Sequence, residues 1–260
     1  GYIMKGLNRG VYAVFGVIAM LLVGLIYAWS VFSGPIASSH PDWSQTDLSL
    51  TFTIIMIAFC IGAVAAGFML KKLSPRVIVI ISAVLLFAGF MLASVGSSKL
   101  NLYLGLGGIC GFGSGLTYNA SMSTMSKWFP DKQGLISGIM LMGFGLSSFI
   151  IGKVFVAMSP ADGSLKWQST FKIFAVVILI VLIICSLFYV LPEKGYNPGA
   201  GSSKKASRQP AMEATTGQMM KMPSFWCFYI WAIVISGVGL VLVAQARGIA
   251  TQVGTGVPAE

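Results

Sequence analysis

The chain has 260 residues, with seventeen Lys and Arg against seven Asp and Glu, yet only 9% of positions are charged while 56% are hydrophobic, and mean hydropathy is +0.86. Soluble domains carry about a quarter charged residues, so water is not this chain's main solvent. In a soluble protein the formal charge of +10 would suggest nucleic acid; here the placement of the basic residues matters more than their sum, and no nucleic-acid partner is implied.

Seven apolar stretches follow one another: Val11 to Phe32, Leu48 to Leu70, Val77 to Ser98, Leu102 to Ser126, Gln133 to Gly152, Ile173 to Leu191 and Pro223 to Ala246. None contains Asp, Glu, Lys, Arg or His. A helix rises ~1.5 Å per residue and the hydrocarbon layer is ~30 Å thick, so each stretch meets or nearly meets the length needed to span a lipid bilayer. The fold class is therefore all-α, integral to the membrane. A basic start at Lys5 and Arg9 with Ala37 and Ser39 beyond also fits a signal peptide, but the first apolar run is longer than the usual signal core.

Twelve of the seventeen basic residues fall in alternate breaks: Lys5 and Arg9, then Lys71, Lys72 and Arg76, then Lys127 and Lys132, then Lys194, Lys204, Lys205, Arg208 and Lys221. These breaks are predicted cytoplasmic, and the amino terminus with them. Cys60, Cys110, Cys185 and Cys227 all lie within apolar stretches, so no disulfide framework or metal site is expected.

Six spans are close-set through Leu191, and composition then shifts over 192–222 to a Gly, Ser and Lys-rich loop, in which Ala211 to Lys221 can form a short surface helix. Residues 1–191 read as a six-helix transmembrane bundle, 192–222 as a cytoplasmic linker and 223–260 as the first helix of a second bundle. This is the layout of transporters built from two six-helix halves, with the carboxy-terminal half missing here. The chain alone is expected not to transport. Inverted three-helix repeats would relate spans one to three with spans four to six, although no residue-level repeat is evident.

Gly107, Gly111 and Gly115 fall one per turn along the fourth span, which predicts close helix approach; a phosphate-binding loop would need a strand and a water-exposed helix start. Gly62, Gly67, Gly134 and Gly138 carry the same expectation with weaker spacing.

The break after the second span reads Gly67-Phe-Met-Leu-Lys71-Lys72-Leu-Ser-Pro-Arg76, and the break after the fourth reads Lys127-Trp128-Phe129-Pro130-Asp131-Lys132-Gln133-Gly134, with Tyr118 and Asn119 upstream. The first resembles the cytoplasmic loop signature of the major facilitator superfamily. The second, together with Tyr27 to Ser30, resembles the oxalate/formate antiporter family and its monocarboxylate-transporter relatives. The resemblance implies a major-facilitator-type helix bundle and secondary transport of small organic carboxylates such as oxalate, formate, lactate or pyruvate, by antiport or symport. It also implies that Tyr27 and Tyr118 belong to a substrate chamber, with Asn119 beside them and Phe144 where some members carry a further tyrosine. Lys71 stands where the superfamily loop usually carries an acidic residue, so a cytoplasmic gate is expected from Asp131, capping the fifth helix and pairing with Arg76. A solvated pair of little consequence is the alternative.

A carboxylate needs a cation, and spans one to six hold none; Lys153 and Arg247 sit at span ends with ordinary interfacial readings, as does Trp29. By the resemblance, the basic binding residues come from the missing half. The single histidine, His40, falls in an outer loop and is expected to be solvated, and no constellation supports catalysis or a cofactor. The remaining readings are an exporter of larger apolar compounds and a non-transporting membrane sensor or scaffold of the same fold.

Overall fold

The computed structural model describes residues 8–95, 98–158, 166–193, 196 and 216–252, with side chains left undescribed at 216 and 240–252. Residues 1–198 and 199–260 form separate compact units. Within the first unit, α1 (Arg9–Ser39) is interrupted by a 3-10 turn at Gly24–Ala28. It is followed by α2 (Gln45–Met69) and α3 (Pro75–Ser94). A turn at Lys99–Leu102 and a π segment at Tyr103–Cys110 lead into α4 (Gly111–Trp128), and α5 (Gln133–Met158) and α6 (Trp167–Ser186) complete the unit. The second unit contains one turn at Thr216–Met219 and α7 (Pro223–Gln252). Most of the linker expected over 192–222 lies outside the described residues.

Among the described residues, α1, α2, α3, α5 and α6 are long and apolar enough to cross a membrane. The fourth stretch departs from the single long helix expected. Its glycines at 105, 107 and 108 accompany the wider π winding, and its second part is rich in Ser, Thr and Asn. That composition suits burial against other helices rather than lipid, and eleven of the eighteen α4 residues are buried. In α7 the apolar helix is described over Pro223–Gly239.

Helix ends follow from local chemistry. Ser44 and Asp47 form a capping box at the start of α2, and Pro75 occupies the first turn of α3, where its missing N–H costs nothing. Asp47 also accepts from Lys99 Nζ at 2.6 Å, tying α2 to the turn before the π segment. That bond raises the pKa of the Lys99 ammonium.

The main helix pairings are α2 with α4, α3 with α6, and α1 with α5. Exchanging helices one, two and three for four, five and six turns the α1–α5 pair into the α4–α2 pair and returns α3–α6 to itself. The packing therefore has the symmetry of two three-helix repeats.

Glycines create the two related interfaces. A Cβ at Gly111 would lie 2.7 Å from the Ile55 carbonyl oxygen, one at Gly107 would lie 2.8 Å from Ile54 Cγ2, and those at Gly115 and Gly62 would collide with the carbonyls of Phe59 and Phe112. On the other pair, a Cβ at Gly24 would strike the Phe144 carbonyl and one at Gly143 would lie 2.9 Å from Val17 Cγ1. Lipid offers no hydrophobic drive for helix association, so contact at backbone distance is what holds such pairs. The weaker glycine expectations separate. A Cβ at Gly67 would meet only Asn119 Nδ2 at 3.5 Å, and at Gly134 and Gly138 nothing lies within 4 Å. Those two glycines do not pack within this unit.

Overpacking a well-filled interface costs typically ~1–3 kcal/mol. Gly115→Ala is expected to lose at least ~1–3 kcal/mol, because the obstruction is backbone, whereas Gly67→Ala is expected to be neutral within ~0.5 kcal/mol. Thermal unfolding of the full-length protein in detergent measures the contrast; equal midpoints for the two variants would contradict this packing.

Candidate functional site

Four aromatic rings from four helices meet inside the first unit. Tyr27 comes from the 3-10 turn of α1, Phe59 from α2, Tyr118 from α4 and Phe144 from α5. Phe144 is the hub: its ring centroid lies 5.1 Å from Tyr27, 5.2 Å from Tyr118 and 5.9 Å from Phe59. Phe59 and Tyr118 meet at 5.3 Å. The edge-on and tilted geometries are those that aromatic quadrupoles prefer. Phe144 is only 5% exposed, shielded by the other three, which are half-buried. Among the described residues neither tyrosine hydroxyl is hydrogen-bonded to the protein, which leaves two donors at the edge of an otherwise apolar wall.

The sequence-predicted residues are thus brought together in part. Tyr27, Tyr118 and Phe144 share one cluster. Asn119 turns toward α2 and donates from Nδ2 to the Ala63 carbonyl at 2.5 Å, bracing the α2–α4 pair beside the cluster. Phe59 was missed. It carries no polar atom to distinguish it from a lipid-facing phenylalanine, and only its ring contacts in the fold mark it.

The expected Arg76–Asp131 pair is not formed. Asp131, in the 3-10 turn Pro130–Lys132 ahead of α5, pairs with Arg9 at 2.7 Å, and the Arg9 guanidinium lies 5.0 Å from the Phe129 ring centre. The cause is the helix pairing. The neighbour of α5 is α1, so the basic residue delivered to Asp131 is the one at the start of α1; α3 packs on α6 and α4, leaving Arg76 exposed.

The rest of the Trp128 to Gly134 string also acts as a knot. Trp128 stacks on Tyr12 at 4.3 Å and donates from Nε1 to the Val190 carbonyl at 2.7 Å. Tyr189 and Ser121 share a buried hydroxyl hydrogen bond of 2.5 Å, and Phe15 stacks on Phe188. The starts of α1 and α5, the end of α4 and the segment after α6 are joined at this end of the unit.

At the opposite end His40 is not simply solvated: its ring stacks on Trp43 at 4.1 Å and its Nε2 is buried without a hydrogen-bond partner. Trp29 is 7% exposed and packs inside the unit rather than at an interface. Lys153 is exposed, with its ammonium 4.3 Å from the Phe149 ring centre, while Lys71 lies over Phe68 at 5.3 Å. Among the described residues no group of three His, Cys, Asp or Glu is placed to hold a metal.

A bundle of apolar helices packed at backbone distance, with repeat-related pairs around an interior aromatic wall, is the architecture of a multi-pass membrane protein. The sequence model of the Major Facilitator Superfamily matches residues 16–258. The chain belongs to that superfamily, a family of transporters and not of enzymes. It is 24% identical to the oxalate:formate antiporter of Oxalobacter formigenes over 241 residues, 92% of this chain and 55% of that protein. It is 24% identical to the uncharacterized MFS-type transporter YhjX of Escherichia coli strain K12 over 235 residues, 90% of this chain and 56% of that protein. A shorter match, 36% identical over 84 residues, covers 32% of this chain and 20% of monocarboxylate transporter 13 of Rattus norvegicus. The chain spans about half the length of the first two.

The Arg9–Asp131 contact is testable by cross-linking. In a full-length background with the native cysteines replaced, Arg9→Cys paired with Asp131→Cys is expected to join through a short bifunctional thiol reagent, and Arg76→Cys paired with Asp131→Cys to stay unlinked. The opposite pattern would contradict the arrangement of α1, α3 and α5.

Proposed function

We propose that this chain is the amino-terminal six-helix bundle, the linker and the first helix of a second bundle of a secondary transporter that moves small organic carboxylates across a cell membrane by alternating access. Residues 1–191, 192–222 and 223–260 correspond to those parts, with the amino terminus cytoplasmic. The meeting of Tyr27, Tyr118 and Phe144 in one interior cluster carries this reading, supported by the likeness to the oxalate:formate antiporter.

The chemistry follows from what the wall contains. Two phenol hydroxyls donate hydrogen bonds to carboxylate oxygens, the aromatic faces exclude water, and Phe144 holds the rings in place from behind. Asn119 has an unengaged amide oxygen and a second N–H for a polar contact at the edge. A carboxylate taken from water into such a site requires a compensating cation, and this wall supplies none. The cation therefore comes from the second bundle, and the site is complete only when both halves close on it. At the cytoplasmic end, the Arg9–Asp131 pair takes the gate role that the sequence suggested for Arg76 and Asp131, holding α1 against the α4–α5 loop in this arrangement.

Counterflow of labelled oxalate, formate, lactate and pyruvate into proteoliposomes of the full-length protein tests the reading. Uptake of at least one is expected, and Tyr118→Phe is expected to raise its half-saturation concentration by about tenfold or more, since losing one hydrogen bond to a charged group costs ~1.5–3 kcal/mol. Dye extrusion without carboxylate counterflow would make the protein an exporter of apolar compounds; no flux at all would make it a sensor or scaffold.

A further inference from the structure

The repeat symmetry of the packing reaches individual residues of the aromatic cluster. Gly24-Leu25-Ile26-Tyr27 with Ser30 in α1 has its counterpart in Gly115-Leu116-Thr117-Tyr118 with Ser121 in α4. Gly16 and Ile18 likewise correspond to Gly107 and Ile109. On the partner helices, Leu50, Ile54, Phe59 and Gly67 of α2 correspond in spacing to Leu135, Ile139, Phe144 and Gly152 of α5. The contacts obey the same exchange. A Cβ at Gly115 would strike the Phe59 carbonyl, and a Cβ at Gly24 would strike the Phe144 carbonyl. In each repeat, a glycine three residues before the cluster tyrosine seats the helix against the backbone of the cluster phenylalanine.

We propose that Phe59 is a substrate-contacting, specificity-determining residue of the chamber, the repeat counterpart of Phe144. This inference rests on the carboxylate-chamber reading above. Phe144 sits beneath Tyr27, Tyr118 and Phe59 at 5% exposure and orients them. Phe59 is half-buried and edge-on to Tyr118, so it keeps an accessible part of its ring where Phe144 does not. On this reading a hydroxyl added at Phe59 extends from a partly exposed ring and supplies the chamber with a third donor, whereas one added at Phe144 extends from a ring that is almost wholly buried.

Phe59→Tyr in the full-length protein, assayed by counterflow in proteoliposomes, is expected to raise the oxalate-to-pyruvate ratio of kcat/KM about tenfold, in keeping with one added hydrogen bond to a charged substrate, while leaving the thermal midpoint unchanged. Phe144→Tyr is expected to lower the thermal midpoint with less than a twofold change in that ratio. A Phe59→Tyr ratio within twofold of wild type, with Tyr118→Phe still altering half-saturation, overturns the role of Phe59 and leaves the chamber standing. If neither variant alters transport, the chamber lies elsewhere and both readings fall. Should Phe59→Tyr fold poorly, Phe59→Cys in a Cys60→Ser background gives a second readout: oxalate is expected to slow its labelling by a small hydrophilic maleimide, and labelling indifferent to oxalate overturns the inference.

Discussion

Everything in the first unit depends on helices that touch at backbone distance. In lipid the apolar faces of α1 to α6 gain nothing by leaving solvent for one another, so the pairings α2–α4 and α1–α5 rest on glycines that remove the side chains between them. Close approaches fall beside the carbonyls of Phe59, Phe112 and Phe144, so contacts that bind the helices also fix the backbone that carries two of the cluster rings. The aromatic cluster and the scaffold are one construction. A substituent at Gly24 or Gly115 would displace a wall residue as well as loosen an interface.

Two ion pairs lie at the ends, where water or headgroups reach. Asp47 and Lys99 tie α2 to the turn preceding the π segment, while Arg9 and Asp131 tie α1 to the start of α5. Among the described residues the interior between these ends offers hydroxyls and aromatic faces but no formal charge. Under the proposed function this wall suits the neutral side of an anion pathway, since a buried cation without its anion would be costly whenever the chamber is empty.

Much of this was legible in the sequence. Charge-free stretches of bilayer length gave most of the helices, and one glycine per turn at Gly107, Gly111 and Gly115 foretold a close approach along the fourth span, though not that the partner is α2. Three things were not legible. The partner of Asp131 depends on which helix lies beside α5, and nothing in the order of the chain says that this is α1 rather than α3. The repeat stayed hidden because its two halves are not offset equally: Tyr27 and Tyr118 are separated differently from Phe59 and Phe144, so no single period aligns both. Phe59 is marked by its ring contacts with Tyr118 and Phe144, which the sequence does not display. The fourth stretch also read as one helix, whereas its clustered glycines accompany a π segment that charge-free length alone does not reveal.

The central claim is that a small carboxylate sits against the wall made by Tyr27, Phe59 and Tyr118. A cryo-EM map of the full-length protein in lipid with saturating oxalate tests it most directly. The account predicts ligand density within hydrogen-bonding distance of the Tyr27 and Tyr118 hydroxyls, with a basic side chain approaching from the opposite bundle. Ligand density remote from all three rings, with the cluster sealed from the pathway, would contradict it.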